Sequence, residues 1–95
     1  MPLVRRERDI ESAAVRDARS RGWLAIKVGF DGWPDRLFIT HAAHRDDARH
    51  VWVEYKRPGQ NLTALQERKH AHLREQGAEV YVCHSTEETR EVLGE

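Results

Sequence analysis

The chain has 95 residues, enough for one domain with a modest core and too few for two. Charged residues make up 34% and hydrophobic residues 39%, a balance typical of a globular domain with a polar surface. The lone Cys83 excludes an intrachain disulfide and fits a reducing compartment, and no apolar run approaches the ~18 residues of a membrane helix. With no signal-peptide core near the first residue, we expect a single cytoplasmic domain over residues 1–95.

The formal charge is zero, but it is unevenly distributed along the chain. Residues 1–30 carry seven Lys or Arg and four Asp or Glu, a net charge of +3, whereas residues 62–95 carry four and seven, a net of −3. The basic excess is expected to contact phosphates if a polyanion binds there. The alternative is that each arginine of residues 1–30 serves only to solvate the surface of a helix.

The first predicted element is a helix from about Glu7 to Ser20 that ends near Gly22. Two acids, Glu11 and Asp17, fall within its apolar stripe, and periodicity alone does not choose between them as an inward-facing residue. The stripe has the spacing of a helix packed on a core: Ile10, Ala13, Ala14, Val15 and Ala18.

Three strands are predicted next, at about 23–30, 37–40 and 51–56. A turn at 31–34 joins the first two, and a polar connection at 41–50 joins the last two. Side chains alternate along a strand, so Glu54 and Lys56 lie on one face of the third strand. A strand that is apolar on both faces at its start and charged on one face at its end is typical of a buried strand emerging into a polar cleft.

The remaining elements are marked by helix-start signals. Thr63 and Gln66 form a capping-box pattern before a helix that runs to about residue 76, and Ser85 and Glu88 repeat the pattern before a short helix that ends near Leu93. A fourth strand is predicted at 78–83 between them. The order αβββαβα, with three strands in hairpin succession and a helical crossover to the fourth, predicts an α/β fold with a mixed four-stranded sheet flanked by helices.

Asp35 follows Pro34, whose fixed φ stiffens the approach to the second strand. If this carboxylate reaches the face of Glu54 and Lys56, two acids and a lysine converge. Hard oxygen ligands of this kind hold Mg²⁺, and a cation beside them stabilises charge on a phosphate, which is the set that metal-dependent phosphodiester hydrolysis needs. The structural alternatives are a turn aspartate and a solvated ion pair.

Three ordered segments make this pattern specific: GWPDR at 32–36, VEYKRPG at 53–59 and LTALQ at 62–66. Together with Leu73 and Gly77 ahead of the last strand, they resemble the VRR-Nuc family, a branch of the PD-(D/E)xK nuclease superfamily. The likeness extends over about residues 11–93 and implies a restriction-endonuclease-like core. The polar connection at 41–50 departs from the family, in which a tight glycine-rich turn is expected.

The resemblance implies a Mg²⁺ or Mn²⁺ site. By this likeness Asp35 is the central metal ligand, Glu54 the second, and the backbone carbonyl of Tyr55 a third. It also favours Glu11 over Asp17 as the acid that completes the metal shell, directly or through a water. An edge position paired with a nearby arginine is the alternative for Glu11.

Lys56 is expected to orient the attacking water and to neutralise the scissile phosphate, and an ammonium beside two carboxylates stays charged. Gln66 is expected to support the active site in addition to capping its helix. Lys69 stands where the family often has an aromatic residue, and it either contacts DNA or snorkels to the surface. Trp33 either stacks on a base, joins a subunit contact or belongs to the core.

The function expected from the resemblance is a structure-selective DNA endonuclease of a phage or its bacterial host. It would leave 5′-phosphates, act on branched DNA such as four-way junctions, and work as a homodimer without a small-molecule cofactor. Two alternatives are a non-catalytic nucleic-acid-binding module and an RNA-processing nuclease. The six histidines have no spacing that matches a structural zinc site.

Overall fold

The structure is an α/β fold in which helices cover both faces of one sheet. The predicted order αβββαβα is confirmed, with β1 shorter than its expected span of 23–30, and the polar connection lies largely outside the described residues. The computed structural model describes residues 6–40 and 48–94 as α1 (Glu7–Ser20), β1 (Leu24–Lys27), β2 (Arg36–Ile39), β3 (His50–Tyr55), α2 (Ala64–Glu75), β4 (Glu79–Cys83) and α3 (Thr86–Leu93).

The strands lie in the order β1-β2-β3-β4. The pairs β1–β2 and β2–β3 are antiparallel, and β3–β4 is parallel, with α2 as the crossover between the last two. The mixed sheet predicted from the order of elements is therefore confirmed.

The main core lies between the sheet and the pair α1 and α3. Alternation along β3 directs Val51, Val53 and Tyr55 into this core, and Trp52 and Glu54 to the opposite face, where α2 packs against β4. Helices α1 and α3 and all four strands contribute side chains to this core, including Ile10, Ala14, Val15, Ala18, Phe38, Cys83 and Leu93.

Asp17, one of the two acids in the α1 stripe, joins α1 to α3. Its carboxylate accepts hydrogen bonds from Arg90 Nε at 2.9 Å and Nη2 at 2.7 Å, and one from Arg21 Nε at 3.2 Å. The Arg90 hydrogen bonds, followed by those of Arg21, lower the pKa of Asp17 to about 2 against an opposing effect of burial. Asp17 thus has a structural role that periodicity could not assign.

The predicted helix caps are present, with one difference. Thr63 Oγ1 accepts from Gln66 N at 3.1 Å and Gln66 Oε1 accepts from Thr63 N at 2.9 Å, a complete capping box. Ser85 also accepts from Glu88 N, but the Glu88 carboxylate bonds to the backbone N–H of His84 instead of that of Ser85. The second box is therefore not reciprocal, because Glu88 reaches one residue further back.

The outermost strand, β1, presents apolar side chains on the face opposite α1. Leu24 is 57% exposed and Ile26 is 41% exposed, whereas Ala25 between them is buried in the core. The Ala25 carbonyl accepts a hydrogen bond from Arg19 Nη2 at 3.1 Å. Across residues 6–40 and 48–94, none of the helices has the length and apolar character needed to cross a membrane.

The turn before β2 lies directly beneath α2. Gly32 has φ +81°, and a Cβ placed on it would lie 2.6 Å from Leu65 Cγ and 3.0 Å from Lys69 Cγ. Only glycine satisfies both the left-handed backbone and this close approach. The contact fixes α2 over the segment that carries Asp35.

A comparison of two glycine substitutions tests this contact. Gly32→Ala is expected to destabilise the fold by about 1–3 kcal/mol more than Gly59→Ala. Gly59 has a similar φ of +86° but nothing within 4 Å of an added Cβ, so the difference isolates the contact with α2. Urea unfolding of both variants measures the difference, and equal losses would contradict the close approach.

Candidate active site

Asp35 and Glu54 come together where β2 begins and β3 ends. The β2–β3 register places Asp35, one residue before β2, directly opposite Glu54. Asp35 Oδ2 accepts a hydrogen bond from the backbone N–H of Tyr55 at 2.7 Å. Pro34 is fully buried, so the approach to Asp35 is held by packing as well as by a fixed φ. The convergence expected of these two acids is therefore present.

Glu54 is an acid in an environment that disfavours its charged form. Its side chain is buried, with 2% exposure, and it shares a hydrogen bond with Asp35. Burial first, and then the hydrogen bond and negative charge of Asp35, raises the pKa of Glu54 to about 8, while Lys56 opposes the rise. Without a bound cation, the Glu54 carboxyl group therefore keeps its proton near neutral pH.

Gln66 connects α2 to this pair of acids. Its Oε1 is occupied by the N–H of Thr63 in the capping box, which leaves the amide nitrogen to face the sheet. Gln66 Nε2 donates to Glu54 Oε2 at 3.4 Å. The cap and the contact with Glu54 are thus made by the two ends of one amide.

His70 is a site residue that the sequence analysis did not single out. It is fully buried one turn after Gln66, and its Nε2 lies 3.3 Å from Glu54 Oε1. Burial, followed by the positive charge of Arg74, lowers the pKa of His70, so its ring is neutral at physiological pH. The spacing i, i+4 from Gln66 is the signal that would have placed both side chains on one side of α2.

Lys56 lies on the same face as Glu54 and is 8% exposed. Its Nζ is 4.0 Å from Oε1 of Glu7, a second residue that the sequence analysis passed over. The charge of Glu7 also adds to the rise in the pKa of Glu54. Glu7 is therefore the acid of α1 that the contacts connect to this cluster.

Glu11 has different contacts from those expected of a metal ligand. Its Oε2 accepts from Lys27 Nζ at 2.8 Å and from Arg36 Nε at 2.6 Å. The carboxylate is buried beneath α1, with two cations bound to the same oxygen. The structure thus places Glu11 in an ion-pair cluster. The contact with Lys56 is made by Glu7, in the first turn of α1.

Two further residues left open by the sequence now have defined neighbours. The Trp33 ring packs on Trp52 with centroids 5.7 Å apart and on Phe30 at 6.5 Å, so it joins an aromatic cluster of the chain itself. Lys69 is half-buried, and its stem crosses the turn at Gly32.

The donor set of this site suits a small hard cation. Within the described residues, no three side chains of His, Cys, Asp or Glu are grouped as a metal-binding cluster. Mg²⁺ is commonly held by one or two carboxylates together with water and substrate phosphate oxygens, and Asp35 and Glu54 provide that pair. The two side chains meet where β2 begins and β3 ends, and a cation bound there would offset the cost of the buried charge on Glu54, so the residues present fit such an ion.

Comparison with known proteins identifies the family of the chain. The family model described as the VRR-NUC domain matches residues 6–87, nearly the whole chain. The match defines a nuclease-type domain, and the chain belongs to the VRR-NUC family. Among curated proteins, no significant match is found.

The raised pKa of Glu54 predicts how stability depends on pH. The folded protein keeps a proton that the unfolded chain releases, so the free energy of unfolding should fall as pH rises from 4.5 to about 8. The slope is at most about 1.4 kcal/mol per pH unit. Urea unfolding in EDTA should show this slope in the wild type and its loss in Glu54→Gln.

The same comparison removes a competing effect. Buried His70, with its lowered pKa, makes stability fall as pH drops below 6.5, but both proteins retain this residue. The difference between wild type and Glu54→Gln therefore reports the carboxyl group. Parallel stability curves for the two proteins would show that Glu54 titrates normally.

Proposed function

We propose that this VRR-NUC domain is a Mg²⁺- or Mn²⁺-dependent DNA endonuclease that hydrolyses phosphodiester bonds in branched DNA such as four-way junctions. The observation that carries the proposal is the contact of Asp35 with Glu54, beside the nearly buried Lys56. A buried acid with a raised pKa, in contact with a second acid and close to a nearly buried lysine, costs stability, and such arrangements cluster at functional sites.

Asp35 and Glu54 would hold the cation, with the carbonyl of Tyr55 as a further oxygen donor. When bound, the cation polarises the phosphate and lowers the pKa of a bound water. Asp35 is held in place by the N–H of Tyr55, and Glu54 by Gln66. Both acids are therefore positioned before any ligand arrives, which reduces the reorganisation needed on binding.

Lys56 would stabilise the negative charge that develops on the phosphate. Its ammonium lies in a nearly buried position on the face of Glu54, where electrostatic interactions are stronger than in water. Glu7, 4.0 Å away, keeps Nζ directed toward the cluster. We assign Lys56 this electrostatic role in preference to that of the base that deprotonates water.

The surroundings of the site support backbone binding over base recognition. Arg57 directly follows Lys56, and Lys27 leaves 57% of its side chain exposed while pairing with Glu11. These cations suit phosphates, which carry no sequence information. Within the described residues, the elements are those of the sheet and its three helices, so selection by the shape of the DNA fits this compact fold.

Lys56→Ala should abolish most cleavage without abolishing binding. We expect the cleavage rate of a labelled four-way junction in Mn²⁺ to fall by about 10²-fold or more. Junction affinity should fall only as far as the loss of one phosphate contact requires. Arg68→Ala, which removes an exposed positive charge from α2, is the matched control and should retain most of the cleavage.

The substrate panel for this assay is the junction, linear duplex, single strand and RNA, each with Mn²⁺ or with EDTA. Metal-dependent cutting that ranks the junction first would support the proposal in full. Cutting of RNA alone would indicate an RNA-processing nuclease. Tight DNA binding with no cleavage, equal in wild type and Lys56→Ala, would indicate a binding module.

We further propose that the active form is a homodimer joined through the β1–β2 face, defined as the exposed sheet surface of Leu24, Ile26, Leu37, Ile39 and Trp52. Residues of this face are uncharged, so a two-fold contact would bring no like charges together. Next to it, Phe30 is 73% exposed. The most exposed side chains together leave on the order of 300 Å² of apolar surface, comparable to the largest apolar patch of a typical monomer, which is often functional.

Replacing the two exposed side chains of β1 tests the dimer. Leu24→Thr with Ile26→Thr keeps residues that favour strands, so folding should persist while the protein becomes monomeric. Glu87→Thr, an exposed change on α3 beyond the opposite face, should leave the dimer intact. Sedimentation equilibrium measures both, and a wild type that stays monomeric with junction DNA bound would overturn the dimer.

A further inference from the structure

His70 occupies a position where a polar side chain carries a cost. It lies on the buried side of α2 with no exposed surface, and its Nδ1 has no hydrogen-bond partner among the described residues. An unsatisfied buried polar atom costs about 1–3 kcal/mol. Packing alone would therefore be served better by leucine at this position.

The contact that His70 does make is with the candidate metal ligand Glu54. Its Nε2 lies 3.3 Å from Glu54 Oε1, whereas Gln66 Nε2 lies 3.4 Å from the other oxygen, Oε2. Gln66 and His70 are one helical turn apart, so α2 presents two nitrogens to the two oxygens of one carboxylate. This arrangement fixes both the position and the plane of the Glu54 carboxyl group.

The contact with Glu54 also determines which nitrogen of the His70 ring carries the hydrogen. A carboxylate that ligates a cation is ionised and only accepts hydrogen bonds, so Nε2 must donate. Nδ1 is then the bare nitrogen, and an unpaired acceptor is tolerated more readily than an unpaired N–H. With a cation bound, the ring is therefore expected as the Nε2–H tautomer.

From these contacts we infer that His70 is a positioning residue for cation binding: its Nε2–H holds Glu54 in the orientation in which the carboxylate meets the ion. The inference rests on the proposed function, since it assigns Glu54 as a ligand. It goes further in predicting that a residue with no contact to the ion or the DNA sets the affinity for the cation.

Three substitutions of His70 distinguish the effect of the Nε2–H donor from the effect of the volume of the imidazole ring. His70→Leu removes the donor, His70→Gln places an amide N–H near the position of Nε2, and His70→Asn is polar but too short to reach Glu54. The probe is Mn²⁺ alone, titrated calorimetrically into each protein without DNA. Urea unfolding in EDTA provides the stability of each variant.

We expect His70→Leu and His70→Asn to weaken Mn²⁺ binding by roughly 10- to 100-fold, as is typical when a partner of a ligand is lost. His70→Gln should recover most of the affinity. His70→Leu should be at least as stable as the wild type, since it removes the orphaned Nδ1. Lower affinity with undiminished stability is a result that a purely structural role would not produce.

Unchanged Mn²⁺ affinity in His70→Leu, with a wild type that binds Mn²⁺, would overturn this inference and leave the proposed function standing. A wild type that binds no Mn²⁺ and cuts no DNA would overturn the proposed function itself. The nitrogen NMR shifts of the His70 ring in the Mg²⁺-saturated wild type give a test that needs no variant. An Nδ1–H tautomer there would overturn the inference.

Discussion

The contact of buried Glu54 with Asp35 is the constraint on which the other features of the site depend. Burial disfavours the charged form of the Glu54 carboxyl group, and the adjacent Asp35 disfavours it further. Lys56 places a positive charge nearby, and α2 directs the side-chain nitrogens of Gln66 and His70 at the same carboxyl group. A hydrophobic core needs none of these groups, whereas the cation site proposed above would use all of them.

Helix α2 positions the side chains that surround Glu54. Its capping box begins the helix and, by occupying one end of the Gln66 amide, directs the other end at Glu54. Its next turn buries His70 over the same carboxylate, and Gly32 admits the helix close to the turn that precedes Asp35. The same few residues therefore both begin helix α2 and supply contacts to the Glu54 carboxyl group.

The sequence predicted the helices, the strands and the face shared by Glu54 and Lys56, because periodicity and capping are local signals. It could not decide between Glu11 and Asp17, since both have charged partners on distant elements, and the ion pairs of Glu11 with Lys27 and Arg36 cross from helix to sheet. His70 was missed for a related reason. A buried histidine and an exposed one look alike until the face on which a helix packs is known.

A small feature at the edge of the sheet has a consequence for how copies of this domain associate. The outermost strand would otherwise offer its backbone for strand-by-strand addition, which has no natural end and leads to fibres. Arg19 places a side chain against the Ala25 carbonyl in the middle of that strand, while the side chains of Leu24 and Ile26 remain uncovered. Addition of a strand from another copy at the β1 edge is therefore obstructed, whereas contact between the apolar faces of two copies is not. This difference favours closed, finite assemblies over open-ended ones.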